Sequence, residues 1–271
     1  MRFIQNLLTI QTLTFIHRRF MSITPKEKED NLEILNNFIG YGNPEAKYWF
    51  IGIEEHSPDK NRKGIDWELE SKRFDIYKQN YQYKPFSLSN KDFKFLNEKI
   101  TYTPTYEGIK KIYNQINSSN KIETDEIGNY GINLFIANLY PLGRSTTRDK
   151  YNEFVKRYLY DDSFEKWFED NWEKRKDILK KFLINKLFKD SKKEKYIFCL
   201  GISSWNEFEE LFKSSLNEPT FKFDTIKNSK NDNYYGYYKA NNYNIYCLYH
   251  PASSRFNNLN FEYNNDLKII L

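Results

Sequence analysis

Two apolar runs, far apart in the chain, most restrict what this sequence can fold into. Lys47-Tyr48-Trp49-Phe50-Ile51-Gly52-Ile53 stops at Glu54-Glu55-His56, and Tyr246-Cys247-Leu248-Tyr249 stops at His250-Pro251-Ala252-Ser253-Ser254-Arg255. A strand apolar on both faces must be covered on both, which is the pattern of a parallel strand in a layered α/β fold. In open sheets of that kind, ligands sit beyond the carboxyl ends of the strands. Two of the chain's three histidines stand at these two ends.

Two more runs complete a set. Ile132 to Tyr140 is ended by Pro141, and Tyr196 to Leu200 is ended by Gly201. With helical periodicity between them, the reading is α/β: a three-layer α/β/α sandwich around a central, mainly parallel sheet of four strands, at 47–53, 132–140, 196–201 and 243–249. Leu32, Leu35 and Phe38 give a helix over 25–38, followed by a turn at Gly40-Tyr41-Gly42-Asn43-Pro44. Residues 63–82 and 91–117 read as mixed helix and loop, with a loop at 102–106 and a helix from Glu107. Residues 151–190 read as helix with an apolar stripe of Phe164, Trp167, Phe168 and Trp172. The Lys/Glu-rich stretch from Glu173 to Lys195 reads as its solvated face. Ser203 or Ser204 caps a helix through Phe212. A hairpin-like excursion over 220–240 turns near Asn231-Asp232-Asn233, and a last helix is expected from about Leu259.

A length of 271 residues with 39% hydrophobic content fits one α/β domain, expected over residues 21–271. Residues 1–20 carry Arg2, Arg18 and Arg19 and no acid, and Met21 opens a second start-like segment. They read as an extension: an over-long start, a targeting segment or an extra helix. The formal charge of +5 falls to +2 without them, which permits nucleic-acid binding without arguing for it. Cys199 and Cys247 lie inside strands and read as small buried hydrophobes of a reducing compartment. Neither a metal nor another cofactor is expected, because a structural zinc or iron–sulfur site needs about four ligands. No stretch approaches the ~20 apolar residues that span a bilayer. A cytoplasmic monomer is the expectation, with mitochondrial or nuclear placement open for a eukaryotic source.

Three strand ends carry candidate chemistry. A carboxylate after Gly52-Ile53, Glu54 or Glu55, can serve as general base or stabilise a developing cation, or can simply cap a solvated turn. At the second end, Pro251 holds His250, whose imidazole can donate to a carbonyl oxygen. Ser253 and Ser254 can bind phosphate through hydroxyl and backbone N–H groups, or only end the strand. At the third, the Asn138 amide offers both a donor and an acceptor, the pattern needed to read the edge of a pyrimidine, or the asparagine can simply form a turn at the strand end. Tyr140 and Arg144 follow it.

In order and context these segments resemble the uracil-DNA glycosylase superfamily. Gly52-Ile53-Glu54-Glu55-His56 stands where that family has its water-activating motif. Phe135-Ile136-Ala137-Asn138-Leu139-Tyr140-Pro141 resembles its middle strand, Phe198-Cys199-Leu200-Gly201-Ile202-Ser203-Ser204-Trp205 its strand–Gly–helix segment, and His250-Pro251-Ala252-Ser253 its closing His-Pro-Ser motif. The resemblance implies a DNA partner, a flipped base and hydrolysis of an N-glycosidic bond. It implies that Glu54, or else Glu55, orients water while His250 stabilises the leaving base. Asn138, Ile53, His56 and Tyr140 would face the base, and Ser253, Ser254, Arg255 and Arg144 the DNA backbone. The chain departs from the family where Glu55 replaces an expected proline and His56 an expected Gly or Tyr. Two other functions stay open beside hydrolysis of the N-glycosidic bond of a damaged or modified base in DNA: a non-catalytic nucleic-acid or nucleotide binder of the same fold, and an enzyme acting on free nucleosides or nucleotides.

Overall fold

The structure is a computed structural model that describes residues 23–53, 67–93, 104–142, 156, 158–160, 162–189, 193–227, 234–240, 242–251 and 253. Its strands are β1 (Phe38–Gly42), β2 (Tyr48–Gly52), β3 (Phe86–Leu88), β4 (Leu134–Asn138), β5 (Lys195–Leu200), β6 (Asp224–Lys227), β7 (Tyr234–Ala240) and β8 (Tyr243–Leu248). Five α-helices are present among the described residues: α1 (Pro25–Asn37), α2 (Trp67–Asn80), α3 (Pro104–Ile116), α4 (Phe164–Lys186) and α5 (Trp205–Leu216). The fold is mixed α/β.

One sheet of eight strands holds it together, in the order β3-β1-β4-β2-β5-β8-β7-β6. This corrects the expected sheet of four. The four anticipated strands are its contiguous centre, β4-β2-β5-β8, with every neighbour parallel. Four further strands flank that centre. β3 and β1 pair in parallel, whereas β1–β4, β8–β7 and β7–β6 are antiparallel, so the whole sheet is mixed.

The flanking strands escaped the apolar-run criterion for physical reasons. β1 is Phe-Ile-Gly-Tyr-Gly, and its glycines read as turn formers. Here a Cβ on Gly40 would lie 1.8 Å from the Ile136 carbonyl oxygen, so the glycine is what lets β1 lie against β4. The expected turn at 40–44 therefore begins only after Gly42, and Phe38 opens a strand rather than closing α1. β3 has three residues, and β6 is mostly polar. The β6–β7 hairpin is the excursion expected over 220–240, and the final helix expected from Leu259 lies outside the described residues.

Alternation along the strands builds two cores. Trp49, Ile51, Phe135, Ala137, Ile197, Cys199, Ile245 and Cys247 face α1, α2, α4 and α5. Tyr48, Phe50, Leu134, Ile136, Phe198, Tyr246 and Leu248 face α3, whose Ile109, Ile112 and Tyr113 pack on them. On the α3 side Phe198 stacks between Phe50 and Tyr246, with ring centroids 5.0 and 5.1 Å apart. Burying each Phe contributes ~1.5–3 kcal/mol.

Chain order places the open edge. From β2 the chain goes to β4 on one side, then to β5 on the other side of β2, so the strand order reverses there. Such a reversal leaves a crevice beyond the carboxyl ends.

Candidate functional site

The ends of the four central strands meet at one level. Gly52 pairs with Asn138 on one side and Leu200 on the other, and Leu200 pairs with Leu248. The ladder runs slightly further: Leu139 N–H donates to the Gly52 carbonyl at 2.8 Å and Tyr140 N–H to the Ile53 carbonyl at 2.7 Å.

Asn138 follows Leu134 and Ile136 in the period-two pattern, so its side chain lies on the α3 face. It is half-buried, and its amide makes no hydrogen bond among the described residues. Its carbonyl oxygen Oδ1 lies 2.9 Å from where a Cβ on Gly52 would be. Glycine at that position is therefore what leaves room for the amide.

The main chain beneath Asn138 is held from the opposite face by Arg175, which is 0% exposed. Arg175 Nη2 donates to the Asn138 carbonyl at 2.7 Å and Nε to the Leu139 carbonyl at 3.1 Å. Nη1 donates to the carbonyls of Asn36 at 2.5 Å and Phe38 at 3.0 Å. No carboxylate pairs with it among the described residues. Desolvation pulls its pKa down to about 9, since burial penalises the charged form. Sequence reasoning placed Arg175 on a solvated helix face. The signal was present: Arg175 falls in register with Trp172, Leu179 and Phe182, all buried on α4.

His250 stands two residues past β8 and is half-buried. Its Nε2 lies 3.4 Å from Thr105 Oγ1, in the first turn of α3. Helix α3 begins at Pro104, not at Glu107 as the sequence reading had it; proline is favoured in a first turn because its missing N–H is not needed there. The loop expected over 102–106 therefore ends before Pro104, and Thr105 is a helix residue. Glu107 follows in the same turn and accepts from the Thr124 hydroxyl. That bond, aided by Lys110, holds its carboxyl below the usual range.

The remaining expected site residues divide. Ile53 is buried on the face opposite Asn138, where it fills the space over Gly201. Tyr140 is 3% exposed, its ring edge-on to Phe164, Trp167, Phe168 and Trp172 at 5.0–6.1 Å. Both are core residues, placed by strand alternation and by the aromatic stripe of α4 away from the Asn138 amide. Ser253 is half-buried, and its N–H donates to the His250 carbonyl at 2.8 Å, closing the turn. Glu54, Glu55, His56, Arg144, Ser254 and Arg255 lie outside the described residues.

The structure thus brings two directional hydrogen-bonding side chains, Asn138 and His250, to one face of one sheet edge. Their strands are three positions apart, about 14 Å at ~4.8 Å per strand. Among the described residues no group of three or more His, Cys, Asp or Glu is placed to hold a metal, and no helix is long and apolar enough to cross a membrane. No protein-family model matches this chain, and no curated protein matches its sequence.

Proposed function

We propose that this chain is a uracil-DNA glycosylase-like hydrolase, with the parallel centre of the sheet as the corresponding α/β/α core. The reading rests on one observation above all: the Asn138 amide, open and packed on Gly52, shares the carboxyl edge and the α3 face with His250. An amide that both donates and accepts suits the edge of a heterocyclic base. An imidazole opposite suits a base carbonyl that gains negative charge as the base departs.

In this mechanism a flipped base enters between the two groups. A water oxygen adds to the sugar C1′, the C1′–N bond breaks with its electron pair leaving on the base, and Glu54 takes the water proton. Anionic charge near the sugar stabilises the oxocarbenium-like state. Glu55 is the alternative base, and His250 stabilises the departing anion. Ser253, Ser254, Arg255 and Arg144 would hold the DNA backbone, and His56 would border the base.

The test is formation of abasic sites in oligonucleotides that carry uracil, xanthine or hydroxymethyluracil. Wild-type protein is expected to cleave at least one, and Glu54→Gln or His250→Ala to lose at least 100-fold. No cleavage of any substrate, together with no DNA binding, refutes the reading.

A second reading, a non-catalytic nucleic-acid or nucleotide binder, draws on the Glu54-Glu55 doublet and a net charge of only +5. Affinity that falls with salt, survives Glu54→Gln and comes with no abasic product selects it. Turnover of free nucleosides or nucleotides alone selects the third.

A further inference from the structure

Helix α3 carries a hydroxyl where its own pattern calls for an apolar side chain. Ile109, Ile112 and Tyr113 are buried against the sheet. One turn back from Ile109 on the same stripe is Thr105, in the first turn of the helix. Thr105 is half-buried. A hydroxyl turned toward a sheet needs a polar partner, because burying one without a hydrogen bond costs ~1–3 kcal/mol. The partner here is His250, whose Nε2 lies 3.4 Å from Thr105 Oγ1.

Both sides of this contact are held by other bonds. On the helix side, Tyr113 packs edge-on against Tyr48, with ring centroids 5.4 Å apart. The Asn114 amide donates to the Ile122 carbonyl at 2.9 Å and accepts from the Ile122 N–H at 2.7 Å, which ties α3 to the segment that follows it. On the strand side, His250 continues the period-two pattern of Tyr246 and Leu248. Pro251 behind it is buried, and the Ser253 N–H closes the turn onto the His250 carbonyl at 2.8 Å.

A neutral imidazole has one donor nitrogen and one acceptor, and the hydrogen bond made by one fixes the role of the other. If Nε2 carried the proton, its N–H would be given to Thr105 and the ring would have none for a departing base. If the hydroxyl donates to Nε2, the proton stands on Nδ1. Only the second arrangement lets His250 keep Thr105 and still donate to a base carbonyl.

We propose that Thr105 is a positioning residue for His250: its hydroxyl donates to Nε2, holds the neutral ring as the Nδ1–H tautomer, and so makes Nδ1–H the donor to the base carbonyl. The proposal rests on the reading that His250 stabilises a departing base, but the tautomer is measurable without cleavage. The Nδ1–H form is the minor one in free histidine, so a specific hydrogen bond has to impose it.

The experiment is long-range proton–nitrogen NMR of the imidazole rings in full-length protein labelled with nitrogen-15 histidine, read where the rings are neutral. The chain has three histidines, and His250→Gln identifies the signals of His250. Wild type and Thr105→Ser are expected to show the proton on Nδ1. Thr105→Val, which keeps the shape and removes the hydroxyl, is expected to move it toward Nε2. In the abasic-site assay Thr105→Val is expected to lower kcat about tenfold, the worth of one hydrogen bond, with KM little changed. Thr105→Ser is expected to restore most of that loss. The tautomer change with rescue by Thr105→Ser supports the assignment whether or not abasic sites form. A wild-type ring protonated on Nε2, or a Thr105→Val ring that keeps the wild-type tautomer, overturns it and leaves the glycosylase reading standing. An active Thr105→Val protein with the wild-type kcat does the same. A Thr105→Ser ring that behaves like Thr105→Val also overturns it, because shape and not the hydroxyl would then decide.

Discussion

The two arms of the candidate site are held in opposite ways. The end of β4 is clamped from below: four backbone carbonyls converge on the buried Arg175 guanidinium, while the Asn138 amide above is open. The end of β8 is met from the other layer: His250 Nε2 lies 3.4 Å from Thr105 Oγ1 in the first turn of α3, and the Ser253 N–H closes the turn onto the His250 carbonyl at 2.8 Å. A clamped main chain beneath the amide and an imidazole that faces the neighbouring helix suit the proposed chemistry. Recognition of a base edge needs a group already in place, whereas stabilising a leaving base needs one that can tighten as charge develops.

Breaking the clamp should have the largest effect. Arg175→Met leaves four carbonyls without their donor and is expected to cost about 3–5 kcal/mol by chemical denaturation. Arg175→Lys should recover only part, because an ammonium cannot reproduce the planar fork. Next comes the room above the clamp. Gly52→Ala puts a methyl 2.9 Å from the Asn138 oxygen. It is expected to cost ~1 kcal/mol of stability and at least tenfold in ligand affinity, a loss out of proportion to its effect on the thermal midpoint. The contact between His250 and Thr105 should respond least. Thr105→Val is expected to change stability by under ~1 kcal/mol while moving the imidazole resonances of His250, followed by NMR.

The helix that carries Thr105 also has an acid-sensitive tie. Glu107 has a folded pKa below its ordinary 4.5, first because the Thr124 hydroxyl bonds the ionised form. Its contribution to stability is present above pH 4.5 and is lost as pH falls through the folded pKa. Denaturation curves between pH 6 and 3 should therefore lose part of their pH dependence in Glu107→Gln.

What could be read from the residues follows how strongly burial marks them. β2, β4, β5 and β8 are covered on both faces, so their composition alone announces them. β1 does not announce itself, because the contact that defines it is a backbone approach at Gly40 and leaves no apolar signature. Asn138 and His250 were legible as polar residues where apolar runs stop. The positions of Ile53 and Tyr140 required the strand parity and the α4 stripe to be applied beyond the strand end. Thr105 and Arg175 depend on contacts between elements distant in sequence: a helix that starts at Pro104, and a charge that folds onto carbonyls of α1, β1 and the end of β4. Local pattern puts Arg175 on the buried stripe of α4 but contains neither contact.

The most direct measurement is NMR of the Asn138 side-chain amide and the His250 imidazole as Glu54→Gln protein is titrated with a uracil-containing oligonucleotide. The account predicts that both sets of resonances shift together at the same ligand concentration, and that an undamaged oligonucleotide moves them far less. It is contradicted if the oligonucleotide binds and neither resonance moves.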